Sequence, residues 1–307
     1  MLVYEELPAA TGFKTILTNT GSMENIGIEV NVNVRALNFP KFKWDIGFNL
    51  GAYKNKIISV PGGEFTTEFA GATILTRNGN AANLFYGYVS EGVFSTSAEA
   101  AAAGLTKKNA DGSFSAFGAG DIRFKDINGD RIIDDRDREV IGDPNPDIYG
   151  GFTNRFTYKR LQLEALCTFT KGNDVFNYLR SRLESGSGME NQLQSVVNRW
   201  RVDGQQTSVP RATFGDPLGN SRFSDRWIED GSYLRLRYVS VSYDIPFKDG
   251  FVKNALVYVS GNNLLTFTKY MGYDPEFSSS PSPFAQGIDT GLDPQFRSVS
   301  LGVKFGF

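Results

Sequence analysis

The chain has 307 residues and a formal net charge of −2, so bulk electrostatic attraction to nucleic acid is excluded. It contains no histidine and one cysteine, Cys167. That excludes histidine acid–base catalysis, Ser-His-Asp triads, Cys/His zinc sites and an internal disulfide. The lone cysteine, set in a strand-like run, reads as a small apolar side chain, buried or facing lipid.

The first residues, MLVYEELPAATG, lack the charged region and apolar core of a signal peptide. That is the expected look of a chain continuing a longer one. A weak strand is predicted near Phe13–Thr18. From Ile26 to Ala36 every second residue is apolar, with Gly27, Glu29, Asn31, Asn33 and Arg35 between. A strand segregates that pattern onto two faces and a helix does not. After a break at Asn38-Phe39-Pro40 the alternation resumes through Phe42, Trp44, Ile46, Phe48, Leu50 and Ala52. Runs of about eleven residues exceed the usual globular strand and match the span of a transmembrane β-strand.

A long connection follows, at about 59–146, in which the Ala-rich SAEAAAA (Ser97–Ala103) predicts a short helix. Next come strands near Ile148–Tyr158 and Leu161–Thr170, joined by the turn Lys159-Arg160. The connection 172–231 is expected to hold helices at Asp174–Arg182 and Met189–Trp200. The strand Tyr233–Ile245 slips phase near Tyr238-Val239, the mark of a β-bulge. Ala255–Phe267 and Phe296–Phe307 complete the set. No run of about 18 or more apolar residues predicts a transmembrane helix.

Short connections (38–40, 159–160, 247–253) alternate with long ones (59–146, 172–231, 268–295). That is the layout of an outer-membrane barrel, with short periplasmic turns and long extracellular loops. The fold predicted is therefore all-β: an antiparallel transmembrane β-barrel segment whose long loops carry short helices. Backbone groups in lipid have no water, so such a sheet must close. About eight strands form either a small barrel or one arc of a large one.

Within the first long connection, DINGDRIIDDRD (Asp126–Asp137) has the spacing of a calcium loop. Calcium takes six to eight oxygens from loop positions 1, 3, 5, 7, 9 and 12. Here these are Asp126, Asn128, Asp130, the Ile132 carbonyl, Asp134 and Asp137. Position 8, Ile133, is the apolar pin. Arg131 stands at position 6, where glycine is usual, and Asp137 at position 12, where the longer glutamate is usual. No EF-type helix pair flanks the loop, so the expectation is a structural Ca2+ site, against an Asx-rich turn that caps backbone N–H groups without metal.

Other candidates are weaker. The adjacent acids Asp134–Asp135 and Glu229–Asp230 are of the type that two-carboxylate hydrolysis needs, but adjacency gives no separation in space, and no enzyme activity is expected. The loop aromatics Phe85, Tyr86, Tyr88, Phe94, Tyr270, Tyr273, Phe277 and Phe284 read as loop core ahead of sugar or peptide contacts. Asn262 and Asn263 are polar within a strand and read as facing the lumen.

Several long segments are family-specific in pattern. GDIRFKDINGDRIIDDRDREVIGDPNPDIYGGF (Gly120–Phe152), Arg199-Trp200 with Val209–Ala212, SDRWIEDGSYLRLRYVSVSYDIP (Ser224–Pro246), VYVSGNNLLTFTKYMGYDPE (Val257–Glu276) and NTGSMENIGIEVNVNV (Asn19–Val34) together resemble SusC/RagA-type TonB-dependent outer-membrane transporters. The resemblance covers the chain from end to end. It implies a barrel of about 22 strands plugged by an N-terminal domain, of which residues 1–307 are the C-terminal barrel portion, without plug or signal peptide. It further implies a SusD-like lipoprotein partner, the TonB complex acting through the missing N-terminal region, an oligosaccharide or peptide substrate, and residence in outer-membrane lipid. The ending VSLGVKFGF resembles a barrel-assembly signal with its terminal aromatic, Phe307. The alternative reading is a small calcium-stabilised barrel or a surface binding module acting as an adhesin.

Overall fold

The computed structural model describes residues 3–6, 10, 12–13, 15–247, 251–276, 278–279 and 285–307. Seven long strands form its wall: β1 (Ser22–Asn38), β2 (Phe42–Ser59), β3 (Ile148–Tyr158), β4 (Leu161–Lys171), β5 (Tyr233–Pro246), β6 (Asn254–Thr268) and β7 (Ser298–Gly306). They lie in sequence order in one sheet, each antiparallel to its neighbours. The sheet is open: β1 and β7 are its edges and do not pair with each other. It is therefore an arc and not a closed small barrel. The weak N-terminal strand forms at Thr15–Thr18 but pairs with Val3–Glu6 in a separate hairpin, leaving seven strands in the wall instead of eight.

Cross-strand register turns the alternation into two continuous faces. One row runs Val32, Phe48, Phe152, Cys167, Leu236, Leu265. Four residues along β3, another runs Phe156, Leu163, Val241, Val259, Leu301. Val32, Phe48, Leu163, Leu236's neighbour Leu265, Val241, Val259 and Leu301 are exposed, an apolar surface far larger than water tolerates and the right one for lipid. Asn154 interrupts this face, and the Trp44 indole N–H donates to its Oδ1 at 3.2 Å, satisfying it. Trp44 and Phe156 stack at 5.5 Å near the short turns, with Phe42 6.5 Å from Phe156. Phe251 and the terminal Phe307 meet at 4.9 Å. Aromatics at that level are the interface girdle of a barrel.

The opposite face is polar. Its longest row reads Arg35, Asp45, Arg155, Glu164, Ser240, Ser260, Ser300. Arg35 pairs with Asp45 at 2.7 Å and Arg155 with Glu164 at 3.0 Å. A substitution separates the faces: Val32→Arg is expected to destabilise the membrane-inserted sheet by about 2–4 kcal/mol. Asn33→Arg, one residue on and facing the other way, is expected to be near neutral. Equal effects in a folding titration in lipid would overturn the assignment of faces.

The long connections build a globule beside the short-turn-free end of the wall. Helix α1 (Ser97–Ala103) forms as predicted. Thr96 Oγ1 accepts from Glu99 N at 3.1 Å, and Gly104 closes the helix at φ 63°. Asp174–Arg182 is corrected: Asp174–Asn177 is a strand and only Tyr178–Leu183 is helix, here α2. Val175 and Phe176 pair with Ile228–Asp230 and, through Phe176, with Ile288, and that tertiary pairing overrides the helical preference. At Met189–Trp200 only a 3-10 turn forms, Gln194–Asn198. Its N-terminus at Leu193 has no side-chain cap, and Val196-Val197 are poor helix formers. Among the described residues no helix is long and apolar enough to cross a membrane.

Two apolar clusters hold the globule. One joins Phe94, Leu105, Phe117, Ile122, Phe124 and Ile133; the other joins Ile74, Phe85, Phe176, Trp227 and Ile288. Phe85, Tyr88, Phe94 and Tyr270 are buried, as a loop core requires, while Tyr86 is half-buried and Tyr273 exposed. Phe277 and Phe284 lie outside the described residues.

Candidate functional site

The Asp-rich loop folds around its own side chains. Asp126 accepts from Gly129 N and Arg131 N, both at 2.8 Å. Asn128 Oδ1 accepts from Asp130 N and Asp130 Oδ1 from Ile132 N, each at 2.9 Å. The buried Asp137 accepts from Ile127 N and Asp134 N at 2.9 Å. Asp134 accepts from Arg136 N at 2.9 Å. Arg131 sits at φ 63°, the left-handed shape expected of position 6. Ile133 is buried in the first cluster, and its N–H donates to the Thr106 carbonyl at 2.8 Å, so the apolar pin holds.

The loop's cation is at present an arginine. Arg136 Nη2 lies 2.6 Å from Asp130 and 2.8 Å from Asp134. The Arg136 hydrogen bond holds the Asp134 carboxyl below its usual range, and the Arg136 guanidinium is raised in turn. Among the described residues no three acidic or cysteine side chains converge as a metal-holding group. Asp126, Asn128, Asp130, Ile132, Asp134 and Asp137 thus share one loop, with their oxygens engaged chiefly by backbone N–H groups and Arg136.

The polar face of the wall carries the second constellation. It includes a cavity of about 660 Å³ bordered by Glu29, Asn31, Tyr149, Thr170, Tyr233 and Arg237. At its rim a chain of charges ties loop to wall. Arg235 donates to Asp274 at 2.5 Å and to Glu276 at 2.6 Å, Tyr233 donates to Glu276 at 2.6 Å, and Arg237 also reaches Glu276. Arg235 and Asp274 are both 2% exposed.

A pair of bulges supplies this arrangement. Register shifts between Leu236 and Tyr238 against both neighbours: Arg237 is extra relative to β4, and on the other side it faces two residues of β6, Asn263 and Leu264, so that β6 carries one extra relative to β5. Asn263 takes φ 51°, and Arg237 donates to its Oδ1 at 3.3 Å. The predicted bulge is therefore real, one residue earlier than the phase slip indicates. Asn262 donates to Ser298 at 3.0 Å on the polar face. Sequence reasoning missed Arg235, Asp274 and Glu276. The available signal was two arginines flanking one leucine in an otherwise apolar-alternating strand.

Glu229 and Asp230 do not form a catalytic pair. Glu229 is buried, accepting from Arg180, Asn177 and Met271 N at 3.0, 3.2 and 2.8 Å, whereas the exposed Asp230 caps Ser232 N at 2.9 Å. Nearby, burial and the Asp289 carboxylate raise the Tyr270 hydroxyl far above its ordinary range.

An open antiparallel arc, apolar on one face and polar on the other, with all long loops at one end, defines a piece of outer-membrane-type barrel wall. No protein-family model matches the chain. It is 32% identical over its whole length to TonB-dependent receptor P3 of Formosa agariphila, covering 31% of that protein. It is 31% identical to TonB-dependent receptor P26 of the same organism, again over its whole length. TonB-dependent receptor SusC of Bacteroides thetaiotaomicron matches at 26% over 98% of the chain, which covers 28% of SusC. Among solved structures, that of the RagAB peptide transporter superposes with a TM-score of 0.76 at 23% identity, over all of this chain and 32% of the other. The chain thus spans about a third of the length of the curated relatives it matches. The resemblance to SusC/RagA-type TonB-dependent transporters holds along the entire chain, and the fold is that of the barrel.

Proposed function

We propose that the chain is the C-terminal barrel portion of an outer-membrane TonB-dependent importer. It supplies wall, lumen face and extracellular loops, and no residue in it carries covalent chemistry. The imported substrate is an oligosaccharide or peptide, delivered with a SusD-like lipoprotein and released through the TonB complex acting on a plug outside this chain. The observation that carries this reading is the seven-strand arc with one apolar face and two open edges. An isolated arc leaves edge N–H and C=O groups unpaired, which lipid does not tolerate. Further strands in the same protein satisfy them. The DNA reading frame upstream of Met1 tests this: continuation into a plug and a signal peptide is expected, and a stop codon beside a promoter there would sink it in favour of the small-barrel or adhesin reading.

Orientation has its own test. On this reading residues 159–160 are periplasmic and 109–113 extracellular. In intact cells, Ser113→Cys is expected to react with a membrane-impermeant maleimide and Arg160→Cys to react only after the outer membrane is broken. The opposite pattern would invert the topology.

For Asp126–Asp137 we propose structural calcium binding. The left-handed Arg131, the buried pin Ile133 and the Asp126 carboxylate capping positions 4 and 6 favour it. Binding requires Arg136 to swing away from Asp130 and Asp134, whose carboxylates then join Asp126, Asn128, Asp137 and the Ile132 carbonyl around a Ca2+ ion. Calcium is expected to raise the melting temperature, more so in Arg136→Ala, and Asp126→Ala is expected to abolish the rise. A melting temperature indifferent to calcium in both the parent and Arg136→Ala would remove the metal.

A further inference from the structure

A second cavity, of about 510 Å³, opens on the globule between the Asp-rich loop and the turn at Leu218–Arg222. Five cationic side chains line it, Lys107, Lys108, Arg136, Arg138 and Arg222, against two carboxylates, Asp134 and Asp135. The carboxylates are already used. Asp134 is held by Arg136 at 2.8 Å, and Asp135 by Arg138 at 2.6 Å. Among the described residues no ion pair reaches Lys107, Lys108 or Arg222. Lys107 donates to the Pro217 carbonyl at 2.6 Å. Arg222 donates to the Gly219 carbonyl at 2.8 Å and to the Leu218 carbonyl.

Arg222 is the most unusual of the three. Its guanidinium lies 4.6 Å from the Phe124 ring and 4.7 Å from the Tyr88 ring. Carbonyls and aromatic faces orient a cation without neutralising it. Position 219 is built to permit this. Gly219 has φ 76°, and a Cβ there would meet Arg222 Nη2 at 2.8 Å and Nε at 2.9 Å.

We propose that this cavity is an oxyanion-binding site, taking a carboxylate or sulfate group between Arg222, Lys107 and Lys108. Charge-assisted hydrogen bonds from a planar guanidinium are the usual way to grip such a group, and a partly desolvated cation gains most from a charged partner. Burial pulls the Arg222 guanidinium below the usual arginine range, and the more distant Asp216 carboxylate only partly offsets it. The site adjoins the Asp-rich loop: Asp134 and Arg136 line it as well, and Lys108 lies within electrostatic reach of Asp134.

The test is calorimetric titration of the complete membrane protein in detergent with sodium sulfate and, separately, sodium glucuronate, at ionic strength fixed with chloride. Binding with a Kd on the order of 1 mM is expected for at least one anion. Sulfate alone would identify a site for sulfate groups, and glucuronate a site for sugar carboxylates. Lys108→Gln removes an exposed charge that no contact needs, and is expected to weaken binding about tenfold. Gly219→Ala keeps every charge but displaces Arg222, and is expected to weaken it similarly. No heat with either anion, or unchanged affinity in Lys108→Gln together with Arg222→Gln, would overturn the proposal.

Discussion

Arg235→Ala is expected to lower the stability of the folded wall–loop unit by about 3–5 kcal/mol. The side chain is buried and holds two carboxylates, Asp274 at 2.5 Å and Glu276 at 2.6 Å. Removing it leaves the buried Asp274 without its arginine and the half-buried Glu276 with Arg237 alone. The magnitude separates this ion pair from the others on the same face. Arg35 and Asp45 are 49% and 31% exposed, and their solvent-screened pair is expected to contribute far less. Segment 269–276 should also lose hydrogen-exchange protection in Arg235→Ala, because this network is what pins it to β5. An unfolding midpoint matching that of Asp45→Ala would contradict the account.

Trp227→Ala is expected to cost about 3–5 kcal/mol, confined to the loop globule. The ring is fully buried against Phe176 and Ile288's cluster, and its indole N–H donates to the Arg222 carbonyl at 3.0 Å. Arg226 lies over it at 4.6 Å and Arg180 at 5.6 Å. Burial already holds the Arg226 guanidinium down at about 10. Losing the ring removes apolar packing and cation–π contacts together. Limited proteolysis is expected to cut residues 172–231 in the variant while the wall strands stay protected. Cleavage throughout the wall would mean that the globule and sheet fold as one unit.

The sequence made the wall readable because one face meets lipid and the other water. That condition forces strict alternation, and β3 falls at Ile148–Tyr158 as read. Helix α1 was legible for a local reason, its alanines between a threonine cap and a glycine stop. The short strands of the long loops were not. Strand Val175–Phe176 exists because Glu229 and Ile288, distant in sequence, come to pair with it. No local pattern encodes such a meeting. The Asp-rich loop was legible as a fold of carboxylates about backbone N–H groups. The Arg136 bridge between Asp130 and Asp134 was not, since a flexible side chain's direction leaves no trace in spacing. Arg235 was hidden for a related reason: its partners lie about forty residues downstream, in a loop.

The paired bulges at Arg237 and Asn263 carry one more consequence. Each inserts a residue on the strand nearer the C-terminus, so their offsets add in the same direction across β4, β5 and β6. In a closed barrel, accumulated offset is shear, and shear with strand number fixes tilt and radius. In a closed barrel that contained this wall, two polar residues would thereby help set the bore. Deleting Arg237 would do more than remove a charge: Leu236 and Tyr238 would then face the consecutive residues Cys167 and Leu166 of β4 in unbroken register, and that offset would be lost.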